Sequence, residues 1–193
     1  MKLNNRRTIL TGLAFLSICA FWQMYDNVIP LILTKTFHMN ETFSGAIMAA
    51  DNILALFLLP FFGARSDKTN TKIGKRMPYI LFGTGCAVIL MNLLPLIDNS
   101  YAAAPSSFKT VSFVIVLGLL LIAMGTYRSP AVALMPDLTP KPLRSRANAI
   151  INLMGAVGGM VYLGVAAILY SQKRLDAIGL TKADRLDYQP LFL

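Results

Sequence analysis

Three ionisable residues stand inside apolar stretches of this sequence: Asp26 in "QMYDNVIP", Asp51 in "AADNILALFLLPFFG" and Arg128 in "AMGTYRSPAV". Carboxylates and a guanidinium in such surroundings can do two kinds of chemistry. They can hold a proton or a cation, and they can hydrogen-bond a polar solute. Asp26 lies eight residues before Thr34 and Asp51 nine after Thr42. In a helix that rises about 1.5 Å per residue, both then sit about 12–13 Å below the same surface. They can share one layer, and each is followed by an asparagine, Asn27 and Asn52. Two carboxylates in a low-dielectric layer do not readily ionise together, so one of them is suited to carrying a proton. The plainer alternative is an aspartate at a helix end or capping a kink.

Gln23, then Asp26 or Asn27, then Pro30 recur at helical spacing, which puts polar groups and a kink on one face. Arg128 is eighteen residues beyond Thr110, as Asp26 is beyond Thr8, and both precede a proline. In an inverted repeat of helices these positions would be equivalent on opposite sides of the midplane. The alternative for Arg128 is snorkelling to the surface, about 12 Å away along the helix, a long reach for one side chain. Asn148, Asn152, Gly155 and Gly159 fall on one helical face. The glycines fit close helix packing; the asparagines either pack with them or line the inner end of a path.

No catalytic motif accompanies these residues. The single histidine, His38, excludes a histidine-based triad and a clustered zinc site. No cofactor-cradling loop follows a strand, because no strand is expected. Cys19 and Cys86 both fall within apolar spans. The reading is of a protein that is not an enzyme and that holds no metal or organic cofactor.

Apolar segments must position these charges. The chain has 193 residues, 55% of them hydrophobic and 14% charged, and a mean hydropathy of +0.59. A soluble domain is usually about one-quarter charged. A bilayer span needs roughly 20 mainly apolar residues, and five segments qualify: about 8–34, 43–63, 78–97, 111–135 and 147–170. A sixth begins near 190, at "YQPLFL". The expected class is an all-α integral membrane bundle of five helices and the start of a sixth.

The net charge of +9 follows topology. Lys2, Arg6, Arg7, Arg65, Lys68, Lys72, Lys75, Arg76, Lys141, Arg144 and Arg146 fall on one side of the membrane. The other side carries Lys35, Lys109, Lys173, Arg174, Lys182 and Arg185. Such a bias places the N-terminus in the cytoplasm of a multi-pass cell-membrane protein and argues against a nucleic-acid partner. The first apolar stretch runs on through Trp22 to Leu33 with no small-residue cleavage site at its end, so it reads as a retained helix and not a secretory signal.

"PFFGARSDKTNTKIGKRMPYI" resembles the signature between helices 2 and 3 of the major facilitator superfamily. Its lengthened form is similar to the sucrose/proton symporter-like branch and, more loosely, to the glycoside–pentoside–hexuronide:cation symporters. "YRSPAVALMPDLTPKPLRSRANAIINLMG" resembles the helix 4–5 region of the same proteins. Physically the hairpin needs Gly63 for close packing and Asp67 near a helix end, with Lys75 and Arg76 free to pair with acidic or carbonyl groups. The resemblance implies that Gly63, Asp67, Gly74, Lys75 and Arg76 are gating residues. It also implies twelve helices in two halves with substrate between them. This chain is then expected to be an N-terminal portion lacking its C-terminal half, or to pair with a second chain.

The function read from these residues is proton-coupled sugar symport by alternating access, with a lipid bilayer and a small sugar as partners. Asp26 and Asp51 would carry the coupling ion, a proton, with sodium the alternative. Arg128, Gln23, Asn27 and Asn52 would bind sugar hydroxyls or balance charge, and Trp22 or Tyr25 would stack on a sugar ring or anchor in lipid. Competing readings are a non-transporting membrane subunit or inactive truncated fragment, and, with no selectivity ring to support it, a channel.

Overall fold

The computed structural model describes residues 5–180 and 184–192. Two of the basic residues that mark topology, Lys2 and Lys182, lie outside the described residues. All regular structure among the described residues is helical. Helix α1 (Asn5–Leu31) continues into a π-helical turn, Ile32–Thr36; α2 spans Glu41–Lys68, α3 Met77–Ala103, α4 Ser107–Leu138 and α5 Arg144–Leu169. Two short helices follow, α6 (Gln172–Ala177) and α7 (Gln189–Phe192), the latter the opening turn of a sixth helix.

The five long helices are long and apolar enough to cross a membrane. At about 1.5 Å per residue each exceeds the hydrocarbon core of about 30 Å. Helix α4 is the hub, packed against α1, α2 and α3, and α1 also lies along α5. The core between α1, α3 and α4 includes Tyr25, Ile29, Leu33, Leu94, Phe113, Leu117, Leu120 and Met124, all nearly or completely buried. Large apolar side chains also point outward, among them Phe43, Leu56 and Phe57 of α2 and Phe82 and Ile89 of α3. Such a surface is stable against lipid and costly against water.

Local chemistry fixes the helix ends. Pro30 has no amide to return to the Asp26 carbonyl, and one turn later the helix widens: the Phe37 amide donates to the Ile32 carbonyl at 3.2 Å. The Thr34 hydroxyl donates to the Pro30 carbonyl at 2.8 Å, which supports the disturbed segment. Asn40 caps α2 by accepting from the Thr42 amide at 3.2 Å, and Glu41 in the first turn suits the helix dipole. Gly74 adopts φ +109° in the α2–α3 hairpin, a conformation that glycine enters without steric cost.

Two helices run past their apolar stretches. Helix α3 continues from Ile97 to Ala103, so Asp98 and Asn99 are helical beyond the apolar segment that ends near 97. Helix α4 carries Pro136 in its last turn and ends at Leu138, while the following prolines shape a 3-10 turn at Lys141–Leu143. Hydropathy reports where lipid ends, whereas helical hydrogen bonding stops only where caps or breakers intervene.

Helices α1 and α5 approach closely through small residues. A Cβ at Gly158 would run into the Leu16 carbonyl, and one at Gly155 would lie 2.9 Å from Cys19 Sγ. Gly158→Ala is therefore expected to cost about 1–3 kcal/mol by forcing the helices apart. The check is the melting temperature of the detergent-solubilised protein. Gly164→Ala, at a position with nothing within 4 Å, should leave it unchanged.

Candidate functional site

Midway along the bundle, α1, α2 and α4 leave an open cavity of about 330 Å³ lined by Trp22, Asp26, Asp51, Asn52, Ala55 and Arg128. Helical spacing accounts for the membership. Trp22 and Asp26 are four residues apart on α1, as Asp51 and Ala55 are on α2, so each pair shares a face. Asp51 is buried and its Oδ1 has no hydrogen-bond partner. Asp26 is more open to the cavity.

The Arg128 guanidinium carbon sits 4.9 Å from the centroid of the Trp22 ring. A cation over an indole face is attracted by the ring quadrupole, by about 2 kcal/mol when desolvated. Among the described residues Arg128 forms no salt bridge with either aspartate. Trp22 is wedged edge-on against Phe21 and Tyr25, at 5.8 and 5.4 Å between centroids. The Trp22 Nε1 and the Tyr25 hydroxyl are buried without hydrogen-bond partners. An unmet buried donor normally costs stability. Trp22 and Asp51, each with such an unmet buried atom, line the same cavity.

The remaining polar candidates go elsewhere. Gln23 faces α5, its Oε1 3.9 Å from the place a Cβ would take at Gly159. Asn27 donates to the Gln23 carbonyl at 2.6 Å and lines a second open cavity of about 390 Å³ with Lys35, Tyr162, Tyr170 and Tyr188. Asn148 and Asn152 are exposed on α5 and do not line the cavity of Asp26, Asp51 and Arg128. The central cavity thus collects Asp26, Asp51, Asn52 and Arg128 and leaves Gln23, Asn27, Asn148 and Asn152 outside.

At one end of the bundle Arg76 gathers the α2–α3 hairpin. It contacts Asp67 at 2.8 Å and Asp137 at 2.7 Å, and donates to the Ser66 hydroxyl at 3.4 Å. The three partners belong to the ends of α2 and α4, so one buried guanidinium ties both to the start of α3. A Cβ at Gly63 would lie 2.9 Å from Ser129 Oγ on α4, which explains a glycine there, and Lys75 is exposed. Asp137 is not legible as a partner from the sequence, since it lies 61 residues from Arg76.

At the opposite end a second guanidinium works the same way. Arg185 donates to Asp98 at 2.8 Å and to Asn99 at 2.6 Å, and approaches Thr36 at 3.3 Å. Asp98 is completely buried. The Asn99 amide in turn donates to Asp187 at 3.0 Å, and the Tyr170 hydroxyl to the Asp187 carbonyl at 2.6 Å. The segment after α6 is thereby clasped to α1, α3 and α5. Burial, and then the Asp98 charge, push the Tyr188 phenol up to about 12, so it remains an O–H donor at neutral pH. The one signal of this clasp in the sequence is an aspartate abutting the apolar run of α3.

Residues 11–178 match the family model of the Major Facilitator Superfamily. The chain is similar to Sucrose transport protein SUC3 of Arabidopsis thaliana, 33% identical over 147 residues, covering 69% of this chain and 24% of that protein. It is similar to Sucrose transport protein SUT3 of Oryza sativa subsp. japonica, 27% identical over 170 residues, 79% of this chain and 33% of that one. It also resembles Putative transporter YdfJ of Escherichia coli (strain K12), 36% identical over 92 residues, 45% of this chain and 20% of that one. The chain thus spans no more than a third of the length of these relatives. No solved structure matches it.

Arg185→Ala should strand the Asp98 carboxylate and cost about 3 kcal/mol, read as a lowered melting temperature in detergent. Adding Asp98→Asn should restore part of the loss, because the amide removes the unpaired buried charge.

Proposed function

From the premise that this chain belongs to the Major Facilitator Superfamily, we propose that it forms the N-terminal part of a proton-coupled sugar symporter working by alternating access. The observation that carries this reading is the central cavity, where two carboxylates and one guanidinium meet in a bundle otherwise built of apolar spans. If all three groups are ionised, the site holds one net negative charge. One bound proton makes it neutral, and a neutral site is far cheaper to close away from water than a charged one. That is the physical basis of coupling: the cavity closes readily only when loaded.

Sugar is the substrate class this donor and acceptor set suits. Arg128 and Asn52 offer hydrogen-bond donors, while Asp26 and Asp51 accept from hydroxyls. Relatives named as sucrose transport proteins support the same class. The facing wall of the cavity is assigned, in this reading, to a second helical half in the same polypeptide or in another chain. Gly63, Asp67, Gly74, Lys75 and Arg76 form a latch at the cytoplasmic end, with the N-terminus on that side of the cell membrane.

The test is uptake of labelled sucrose by cells expressing the protein, with external pH recorded. Uptake should alkalinise the medium and should not require sodium. Asp51→Asn should abolish accumulation against a gradient while sparing downhill exchange. Full proton-driven accumulation by that variant would remove Asp51 from the coupling mechanism. Accumulation that follows a sodium gradient and not the proton gradient would replace the coupling ion.

A further inference from the structure

By its residue type the ring of Trp22 is a surface for stacking on sugar, but in the structure that use is taken. The Arg128 guanidinium covers the ring at 4.9 Å, Phe21 and Tyr25 pack edge-on against it, and its N–H is buried without a partner. A guanidinium is planar and stacks on indole about as naturally as it forks onto a carboxylate. Arg128 has both options within one cavity, since Asp51 and Trp22 line it together. The titratable and charged groups on the helices packed around Arg128 are Asp26 and Tyr25 of α1, Asp51 of α2 and its own neighbour Tyr127 on α4. No described lysine or second arginine lines that cavity.

We propose that Trp22 is a positioning residue for Arg128: the indole face holds the guanidinium away from Asp51 and thereby sets the acidity at which the cavity takes up its proton. The inference rests on the proton-coupled reading above and deepens it. With Arg128 on the ring, Asp51 has no ion-pair partner, and its protonated form is favoured. When the proton passes from the Asp51 carboxyl to cavity water, the carboxylate left behind attracts the guanidinium, which leaves the ring and pairs with it. No bond other than the O–H is broken and no electron changes hands. Without the indole, Arg128 has only the carboxylates to settle on. The ionised form of Asp51 is then favoured, and proton loading requires a more acidic medium.

These 193 residues contain one tryptophan, so the emission of this 193-residue chain, purified by itself, reports Trp22 alone. The first measurement is the emission of the purified protein in detergent, without sugar, titrated from about pH 8 to about pH 5. A single transition is expected as Arg128 moves onto the ring, and it should be lost in Asp51→Asn and in Arg128→Gln. The second measurement is the pH profile of sucrose uptake. Trp22→Leu should need about tenfold more protons for half-maximal uptake, an acid shift of about one pH unit, with KM for sugar changed less. Trp22→Phe, which keeps a ring, should fall between the two.

Emission that is flat across the titration, or equally pH-sensitive in Asp51→Asn, would overturn the proposal. So would a Trp22→Leu uptake profile superimposable on that of the parent, or a well-folded Trp22→Phe shifted further than Trp22→Leu. Because the fluorescence titration contains no sugar, it stands even if sucrose proves to be the wrong substrate. Loss of uptake with an intact fluorescence transition would therefore count against the sugar reading alone.

Discussion

A guanidinium inside a hydrocarbon layer must find a partner within the protein, and the way Arg128 does so governs this bundle. Its charge would cost about 2.5–3.5 kcal/mol on the insertion scale if left facing lipid. Turning it inward requires α4 to sit at the centre, in contact with α1 and α2 at once. That placement explains why α4 is packed on three sides while α2 leaves Phe43, Ile53, Leu56 and Phe57 facing outward. The apolar core between α1, α3 and α4 then serves as scaffold. It fixes the aromatic cluster of Phe21, Trp22 and Tyr25 opposite the one arginine that needs it.

The two ends of the bundle solve the same problem differently. Arg76 is held by Asp67 and Asp137, both half-exposed, so the pairs compete with water and are individually weak. Their worth lies in geometry, because a single buried guanidinium joins three helix ends. Arg185 meets a carboxylate that is wholly buried, where loss of either partner strands a charge. The pairs at the Arg76 end are therefore individually weaker, and the pair at the Arg185 end costs more to break.

The five spans are plain in the sequence, because an apolar run of bilayer length is too costly to leave in water and too long for most soluble cores. That Asp26 and Asp51 fall in one layer is legible for a related reason, since position along each helix sets its level in the bundle, and the two line one cavity. Direction around the helix is less so. Asn27 follows Asp26, yet a step of one residue turns it by about 100°, and it opens on another cavity. Pairings between distant segments leave no local trace. Nothing near Asp98 announces Arg185, 87 residues away, and nothing near Arg76 announces Asp137. Trp22 stands out for its ring, but the cation upon it is hidden because cation–π partners share no spacing rule across helices.

The contrast among the three arginines gives the middle of the bundle its meaning. Arg76 and Arg185 each have a carboxylate within 3 Å. Arg128 shares a cavity with two carboxylates and pairs with neither, resting on an aromatic face that attracts it less strongly than a desolvated carboxylate can. Around it the Asp51 oxygen, the Trp22 N–H and the Tyr25 hydroxyl are all unmet. At both ends a guanidinium meets a carboxylate, although the Asp98 Oδ1 and the Tyr188 hydroxyl are also left without partners. Selection for stability alone would have placed Arg128 on Asp51 and filled the cavity with apolar side chains. An unfinished set of hydrogen bonds among packed helices costs stability, and in the proposed transporter a guest and a proton would offset that cost.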